Sequence, residues 1–268
     1  MRTLGRATAA LGVALAALAG HAFGQTRPLP NEATIAKCKQ ALATNPKDAG
    51  SYVDWGIALS KLGRDGEAIE KYERALAIDP NSTAAYLNWG LALSNLKQPK
   101  KAIEKYKQAL AVDPKNAAAY VNWGWDLAGF QQHEEAIAKY EQAIAIDPKS
   151  ADVYVYWSVA LLNLERNEQA IEKCRQAVAV DPKDTRPYHY WGVALSKLGR
   201  HEEEFQKYEQ ALAIDPNDAA AYVNWGWTLA SLGREEEANG KYCKAAKVDR
   251  NYAGLCPDMT PGRQPSHP

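Results

Sequence analysis

Residues 49–82 read AGSYVDWGIALSKLGRDGEAIEKYERALAIDPNS, and the rest of the chain is organised around this stretch. Its tryptophan, Trp55, returns as Trp89, Trp123, Trp157, Trp191 and Trp225, each 34 residues after the last. Its proline, Pro80, keeps the same beat in Pro46, Pro114, Pro148, Pro182 and Pro216. A fixed period of this length marks a solenoid, whose units pack on their neighbours rather than around one shared core. Within the unit, Tyr52, Trp55, Gly56, Leu59 and Leu62 recur at intervals of three and four, and so do Ala68, Ile69, Tyr72, Ala75, Leu76 and Ile78. Both sets are the stripes of amphipathic helices. Gly63 separates them, and Asp79-Pro80 ends the second. Two helices joined by so short a link fold back to back. Gly56, Ala68 and Ala75 are small enough to let the backbones approach, while Trp55 and Tyr72 fill the space around them. The Trp55 series reads as core.

The set Tyr52, Trp55-Gly56, Leu59, Gly63, Ala68, Tyr72, Ala75 and Pro80 resembles the tetratricopeptide repeat (TPR), with Trp55 where that family usually carries Leu. It returns as Tyr86, Trp89-Gly90, Ala102, Tyr106, Ala109 and Pro114, and runs on to Trp225-Gly226, Ala238, Tyr242 and Ala245. Six units (49–82, 83–116, 117–150, 151–184, 185–218 and 219–252) follow a half-unit at 25–48, where Cys38, Ala41, Leu42 and Pro46 match the second helix alone. The resemblance implies an all-α fold: a right-handed α-solenoid of six antiparallel helix pairs with an extra N-terminal helix.

The departures from the pattern are local. Ser158 replaces the glycine of the tight crossing, and Cys174 replaces the tyrosine. Glu204 stands where the other units have a small buried alanine, with Phe205 in place of Ile. A carboxylate there must reach solvent, find a donor or stay protonated, so the fifth unit is expected to be the loosest packed. Gly240, inside the last helix, weakens it by roughly 1 kcal/mol relative to Ala.

The ends lie outside the repeat. Arg2 and Arg6 precede an apolar run from Ala9 to Gly20, followed by Ala22-Phe23-Gly24. This is the anatomy of a secretory signal peptide over residues 1–24, and the run is too short to span a bilayer. The expectation is an exported, periplasmic chain beginning at Gln25. Residues 253–268 read as a capping stub and a disordered tail, since Pro257–Pro268 is proline-rich and poor in apolar residues.

The 32 basic and 32 acidic residues cancel, which argues against nucleic acid as a partner. Charges alternate in clusters such as Glu67–Lys71 and Glu135–Lys139, the pattern of solvated helix faces. His133-Glu134-Glu135 and His201-Glu202-Glu203 lack the second histidine of a metalloprotease helix. No serine or cysteine has a nucleophile's context, and no glycine-rich loop follows a strand. The expectation is a non-enzymatic chain with no cofactor and no metal. Cys38 and Cys174 occupy the same repeat position four units apart and read as small buried apolar residues. Cys243 and Cys256 are either two free thiols or a disulfide that clasps the C-terminal end.

In the TPR family, first helices line a concave groove with the residues two before, one before and two after the Trp position. The resemblance therefore assigns a partner-binding groove to Val53, Leu87, Val121, Val155, His189 and Val223. Asp54, Asn88, Asn122, Tyr156, Tyr190 and Asn224 form its second column. Similar asparagines form a ladder in the O-linked N-acetylglucosamine transferases, where a side-chain amide pairs with a peptide's backbone. Tyr156 and Tyr190 interrupt that ladder here and suggest two sub-sites. The third column includes Ile57, Leu91, Trp125 and Trp227; neither tryptophan is demanded by the repeat, so both are candidate anchors. The lysine, asparagine and arginine set of a carboxylate clamp is absent from consecutive units. The resulting expectation is a scaffold for protein interaction that receives a partner segment in the groove. A polysaccharide-binding accessory protein and a self-assembling spacer are the alternatives.

Overall fold

The structure, a computed structural model, describes residues 31–259. The expected signal peptide and most of the tail lie outside them. Among the described residues there are no strands, and thirteen α-helices follow one another in pairs. The half-unit helix is α1 (Asn31–Thr44). The six units are α2 (Ala49–Lys61) with α3 (Asp65–Ile78), α4 (Thr83–Asn95) with α5 (Pro99–Val112), and α6 (Ala117–Gly129) with α7 (His133–Ile146). They continue as α8 (Ala151–Asn163) with α9 (Asn167–Val180), α10 (Arg186–Lys197) with α11 (His201–Ile214), and α12 (Ala219–Ser231) with α13 (Glu235–Val248). Two short 3-10 turns, Arg250–Leu255 and Pro257–Met259, close the described chain. The contacts divide it into two compact units, with the division inside α8 between Tyr156 and Trp157. Among the described residues no helix is long and apolar enough to cross a membrane.

Local chemistry sets the starts of four first helices and the ends of the second helices. The side chains of Asp48, Ser82, Asn116 and Asp218 accept from the backbone N–H three residues on, capping α2, α4, α6 and α12. Each second helix ends at an aspartate, followed by proline in all units but the last, and its carboxylate takes the N–H two residues on, as in Asp79 with Asn81 at 3.0 Å and Asp113 with Lys115 at 3.0 Å. The tight turn inside each unit needs a left-handed residue. Gly63, Gly199 and Gly233 supply it at φ of 73°, 71° and 74°, but Lys97, Gln131 and Glu165 take it at 59°, 62° and 59°. Those three non-glycine turns each store strain.

The helix crossing is as close as its small residues predict. A Cβ placed on Gly56 would lie 2.4 Å from the Tyr72 ring, and one on Gly90 2.3 Å from Tyr106. The fourth unit replaces both partners, and there Ser158 and Cys174 are completely buried. The glycine–tyrosine crossing of the fifth unit stays close, since a Cβ on Gly192 would meet Tyr208 at 2.6 Å, but α10 and α11 pack less extensively on each other than the helix pairs of the first, second, third and sixth units, as expected. Glu204 finds donors within this looser pair. Its carboxylate accepts from the Tyr208 hydroxyl at 3.1 Å and the Thr228 hydroxyl at 2.5 Å, and pairs with His201 Nδ1 at 3.1 Å.

The tryptophans correct the reading of them as core. Each of the Trp55 series is only half-buried. One side of Trp55 packs on the cluster of Ala58, Leu59, Ala68 and Tyr72. Over its ring stands the Lys71 ammonium, 4.9 Å from the centroid. The same lysine, one period on each time, covers Trp89 at 3.6 Å, Trp123 at 4.0 Å, Trp157 at 3.5 Å, Trp191 at 4.1 Å and Trp225 at 2.9 Å. The lysines of clusters such as Glu67–Lys71 are thus tryptophan covers, not merely solvated charges. A cation over an indole face attracts its quadrupole while the lysine stem shields the ring edge from water.

Candidate partner-binding face

The three columns expected to line the groove do not share one environment. Two residues before each Trp, the column is mostly packing. Val53 is 7 % exposed because Ala75 of α3 and Ala85 of α4 close over it. Val121, Val155, His189 and Val223 are likewise buried. Leu87 packs on the cluster of Leu93, Ala102 and Tyr106. These residues were expected on the groove surface; neighbouring helices cover that side of the first helix instead. In the next column Asn122 and Tyr190 are buried too, which removes them from a ladder open to a partner. Asn88 is partly exposed, and its amide donates to the Ala84 carbonyl of its own helix at 2.8 Å. Asp54 is exposed, while Tyr156 and Asn224 are half-buried. In the third column Ile57 packs within two core clusters, Leu91 and Trp227 are half-buried, and Trp125 is 41 % exposed.

Residues 31–156 therefore keep Asp54, Asn88, Leu91, Trp125 and Tyr156 within reach of a partner, and residues 157–259 keep Asn224 and Trp227. Trp125 meets Tyr156 edge to face, with ring centroids 5.0 Å apart and planes at 65°. Tyr156 in turn lies 6.2 Å from Tyr140, a buried ring of the crossing. This chain of rings fixes the orientation of Trp125 while leaving much of its face uncovered.

Beside Trp125 opens a cavity of about 250 Å³, bordered by Ser94, Lys97, Pro99, Trp125, Asp126 and Phe130. Phe130 is 47 % exposed, the most open aromatic side chain among the described residues. Asp126 is 6 % exposed. The Ser94 hydroxyl donates to its Oδ1 at 2.5 Å, and its Oδ2 is sealed from solvent beside the equally buried Tyr106 hydroxyl. Burial pushes the Asp126 carboxyl above its ordinary pKa, opposed by the Ser94 and Tyr106 hydroxyls and the Lys97 charge. Sequence reading singled out Trp125 but missed Lys97, Asp126 and Phe130. The signal was present. The same positions elsewhere hold Gly63, Gly199 or Gly233 for Lys97, Ala58, Ala92, Ala160 or Ala194 for Asp126, and Leu62, Leu96 or Leu198 for Phe130.

His189 is placed for structure rather than binding. It is 1 % exposed, and its Nε2 lies 2.6 Å from Asp218 Oδ2. Burial raises the Asp218 pKa, but the His189 bond and charge, the Ala221 N–H and Thr185 outweigh it, and the carboxyl titrates below its ordinary range. Cys243 and Cys256 are joined in a disulfide that ties the last helix to the closing turns. Asp258 lies close to both sulfurs. Because the sulfurs are bonded to each other, that trio is not free to hold a metal.

Profiles described as tetratricopeptide repeat match residues 83–116, 127–190, 191–218 and 207–238, and one described as TPR repeat matches residues 56–97. Among solved structures, the MamA protein is 26 % identical with a TM-score of 0.57, covering 64 % of this chain and 93 % of that one. PilF of Pseudomonas aeruginosa is 20 % identical with a TM-score of 0.64, covering 77 % of this chain and 95 % of its own. YrrB, described as a TPR protein with an unusual peptide-binding site, is 24 % identical with a TM-score of 0.55, covering 70 % and 96 %. No curated protein matches the sequence.

Proposed function

We propose, from the premise that the chain belongs to the tetratricopeptide repeat proteins and so has the fold of a protein-interaction scaffold, that it holds a segment of a partner protein on the exposed side of its first helices. Trp125 is the principal anchor. The observation that carries this reading is its exposure: a large aromatic ring, oriented by Tyr156, stands open where the repeat is satisfied by Ile57, Leu91, Val159 or Val193. Rigid, partly desolvated aromatic anchors carry most of the energy of protein interfaces. Residues 157–259 carry a second, separate contact at Trp227 and Asn224. The role is occupancy rather than catalysis, because no side chain at either place is arranged as a nucleophile with its base.

The leader residues support export, with the mature chain beginning at Gln25 in the periplasm. N-terminal sequencing of the protein recovered from its host tests that part: a chain that keeps Met1–Gly24 contradicts it. For the binding face, a photo-crosslinking residue at Leu91 is expected to trap a partner in living cells, whereas the same residue at the exposed Gln108 of the second helix is expected not to. Equal trapping from both positions, or from neither, counts against the face.

A further inference from the structure

The turn inside the second unit reverses the charge of its counterparts. Residues 97–101 read Lys-Gln-Pro-Lys-Lys, with three cations and no carboxylate. At the same five positions of every other unit carboxylates outnumber cations, as with Glu134 and Glu135 or Glu202 and Glu203. The surplus runs through the unit: between residues 83 and 116 six lysines face only Glu104 and Asp113, in a chain whose charges cancel. Folding has no need of the three lysines in the turn. Lys97 takes at φ 59° a left-handed conformation that glycine takes without strain. Lys100 and Lys101 lie in the first turn of α5, where the helix dipole favours carboxylates. All three are exposed. Lys101 donates to the Gln98 side chain at 2.8 Å, and none of them forms an ion pair among the described residues.

This turn borders the cavity beside Trp125, which Lys97 and Pro99 line together with Trp125 and Phe130. An apolar recess therefore opens next to a cationic turn. Asp126, the one carboxylate at the recess, has its Oδ1 taken by Ser94 and its Oδ2 shut off from solvent, and the Lys97 charge offsets its own. We propose that this surface receives an acidic segment of the partner protein: an apolar side chain of the segment enters the recess against Trp125, Pro99 and Phe130, and the carboxylates flanking it pair with Lys97, Lys100 and Lys101. The proposal rests on the reading of Trp125 as a partner anchor and adds the charge of what is anchored. Charge complementarity selects the occupant. A basic segment would bring more cations to three unpaired ones, and the recess presents no free acceptor to receive them. A neutral segment would fill the recess and leave the lysines to water. Exposed ion pairs are weak singly, but clustered charges steer an opposite partner and fix its register.

The test uses the whole mature chain and three end-capped peptides, acetyl-X-X-Leu-X-X-amide, with X glutamate, glutamine or lysine throughout. Binding is followed through the backbone amide resonance of Gly129, which borders the recess and is present in every variant. At low ionic strength the glutamate peptide is expected to bind roughly tenfold more tightly than the glutamine peptide, as for a few exposed ion pairs acting together. In about 1 M salt, where charges are screened beyond about 3 Å, the two should approach parity. The variant Lys97→Gly/Lys100→Glu/Lys101→Glu gives the turn the residues of the fifth unit at Gly199, Glu202 and Glu203, so it should fold as the parent does. In it the glutamate peptide is expected to bind no more tightly than the glutamine peptide. In Trp125→Leu both peptides should weaken together, with their ratio kept. Equal affinity for glutamate and glutamine in the parent, a preference that survives the triple variant, or tightest binding of the lysine peptide overturns the acidic preference, and leaves the anchor standing if Trp125→Leu still weakens binding. Undiminished binding to Trp125→Leu, or binding of no peptide to the parent, overturns the anchor and the proposal with it.

Discussion

Ser158 and Cys174 exchange places, in steric terms, with the glycine and tyrosine of the other units. Both are fully buried, and the Ser158 hydroxyl lies within hydrogen-bonding reach of the Cys174 thiol. Elsewhere the glycine exists because the tyrosine ring leaves no room for a Cβ. Once the ring becomes a thiol, a serine fits. Cys174→Tyr alone should therefore overpack the crossing at a cost of roughly 1–3 kcal/mol, and Ser158→Gly alone should cost about 1 kcal/mol. The double variant restores the repeat and should lose less than the sum, with a coupling on the order of 1–3 kcal/mol in denaturant titrations. Additive losses would mean that the two departures are independent. Burial also pushes the Cys174 thiol up to about 12, so thiol reagents should reach it only through unfolding.

A second compensated departure joins Glu204 to Thr228. The hydroxyls of Thr228 and Tyr208 and the ring of His201 together satisfy a carboxylate that is 0 % exposed. Thr228→Ala should cost about 1–3 kcal/mol by withdrawing a donor from a buried acceptor. Adding Glu204→Ala, which gives both positions the alanine usual in other units, should recover most of that loss. A double variant no more stable than Thr228→Ala would refute the pairing.

The two buried aspartates should give opposite pH signatures. The folded pKa of Asp126 is raised, chiefly by burial, so the group favours folding while protonated and this contribution is lost as pH rises through its folded value. Asp126→Ala should accordingly gain stability over the parent at pH 7 and gain less near pH 4. Asp218 has a lowered folded pKa, so its contribution is present above the unfolded value of about 3.9 and lost as pH falls through the folded one. The advantage of the parent over Asp218→Asn should therefore shrink in acid. Thermal melts of the three proteins across that range check both signs.

Backbone strain in the turns gives a further expectation. Lys97, Gln131 and Glu165 hold the left-handed conformation that Gly63, Gly199 and Gly233 hold without penalty. Each change to glycine should stabilise by about 1 kcal/mol, less the flexibility it adds to the unfolded chain. A loss of more than that at Lys97 would show that its side chain makes a stabilising contact.

The period of Trp55 and Pro80 was enough to place the helix pairs, because a solenoid's repeat unit is a pair of amphipathic helices and the turn residues punctuate it. The surface was harder to read. Helical periodicity says which residues share a side of one helix, not which of them the neighbouring helices will cover. Val53 and Trp125 thus looked alike in sequence, yet Ala75 and Ala85 close over only the first. Lys71 was visible in every unit, but charge clusters on a helix resemble solvated faces until the tryptophan beneath them is located. Asp126 and Phe130 became informative only when the cavity joined them to Trp125.

The most direct test of the scaffold account is capture from a periplasmic extract by the mature chain, beside a Trp125→Leu/Trp227→Leu double variant. Leucine is native to the same position of the second unit as Leu91, so the variant should melt as the parent does. The account predicts a protein retained by the parent and weakened at least about thirtyfold in the variant, as expected when anchors worth roughly 2 kcal/mol or more are lost. Retention that ignores both tryptophans, in a variant shown to be folded, would contradict it.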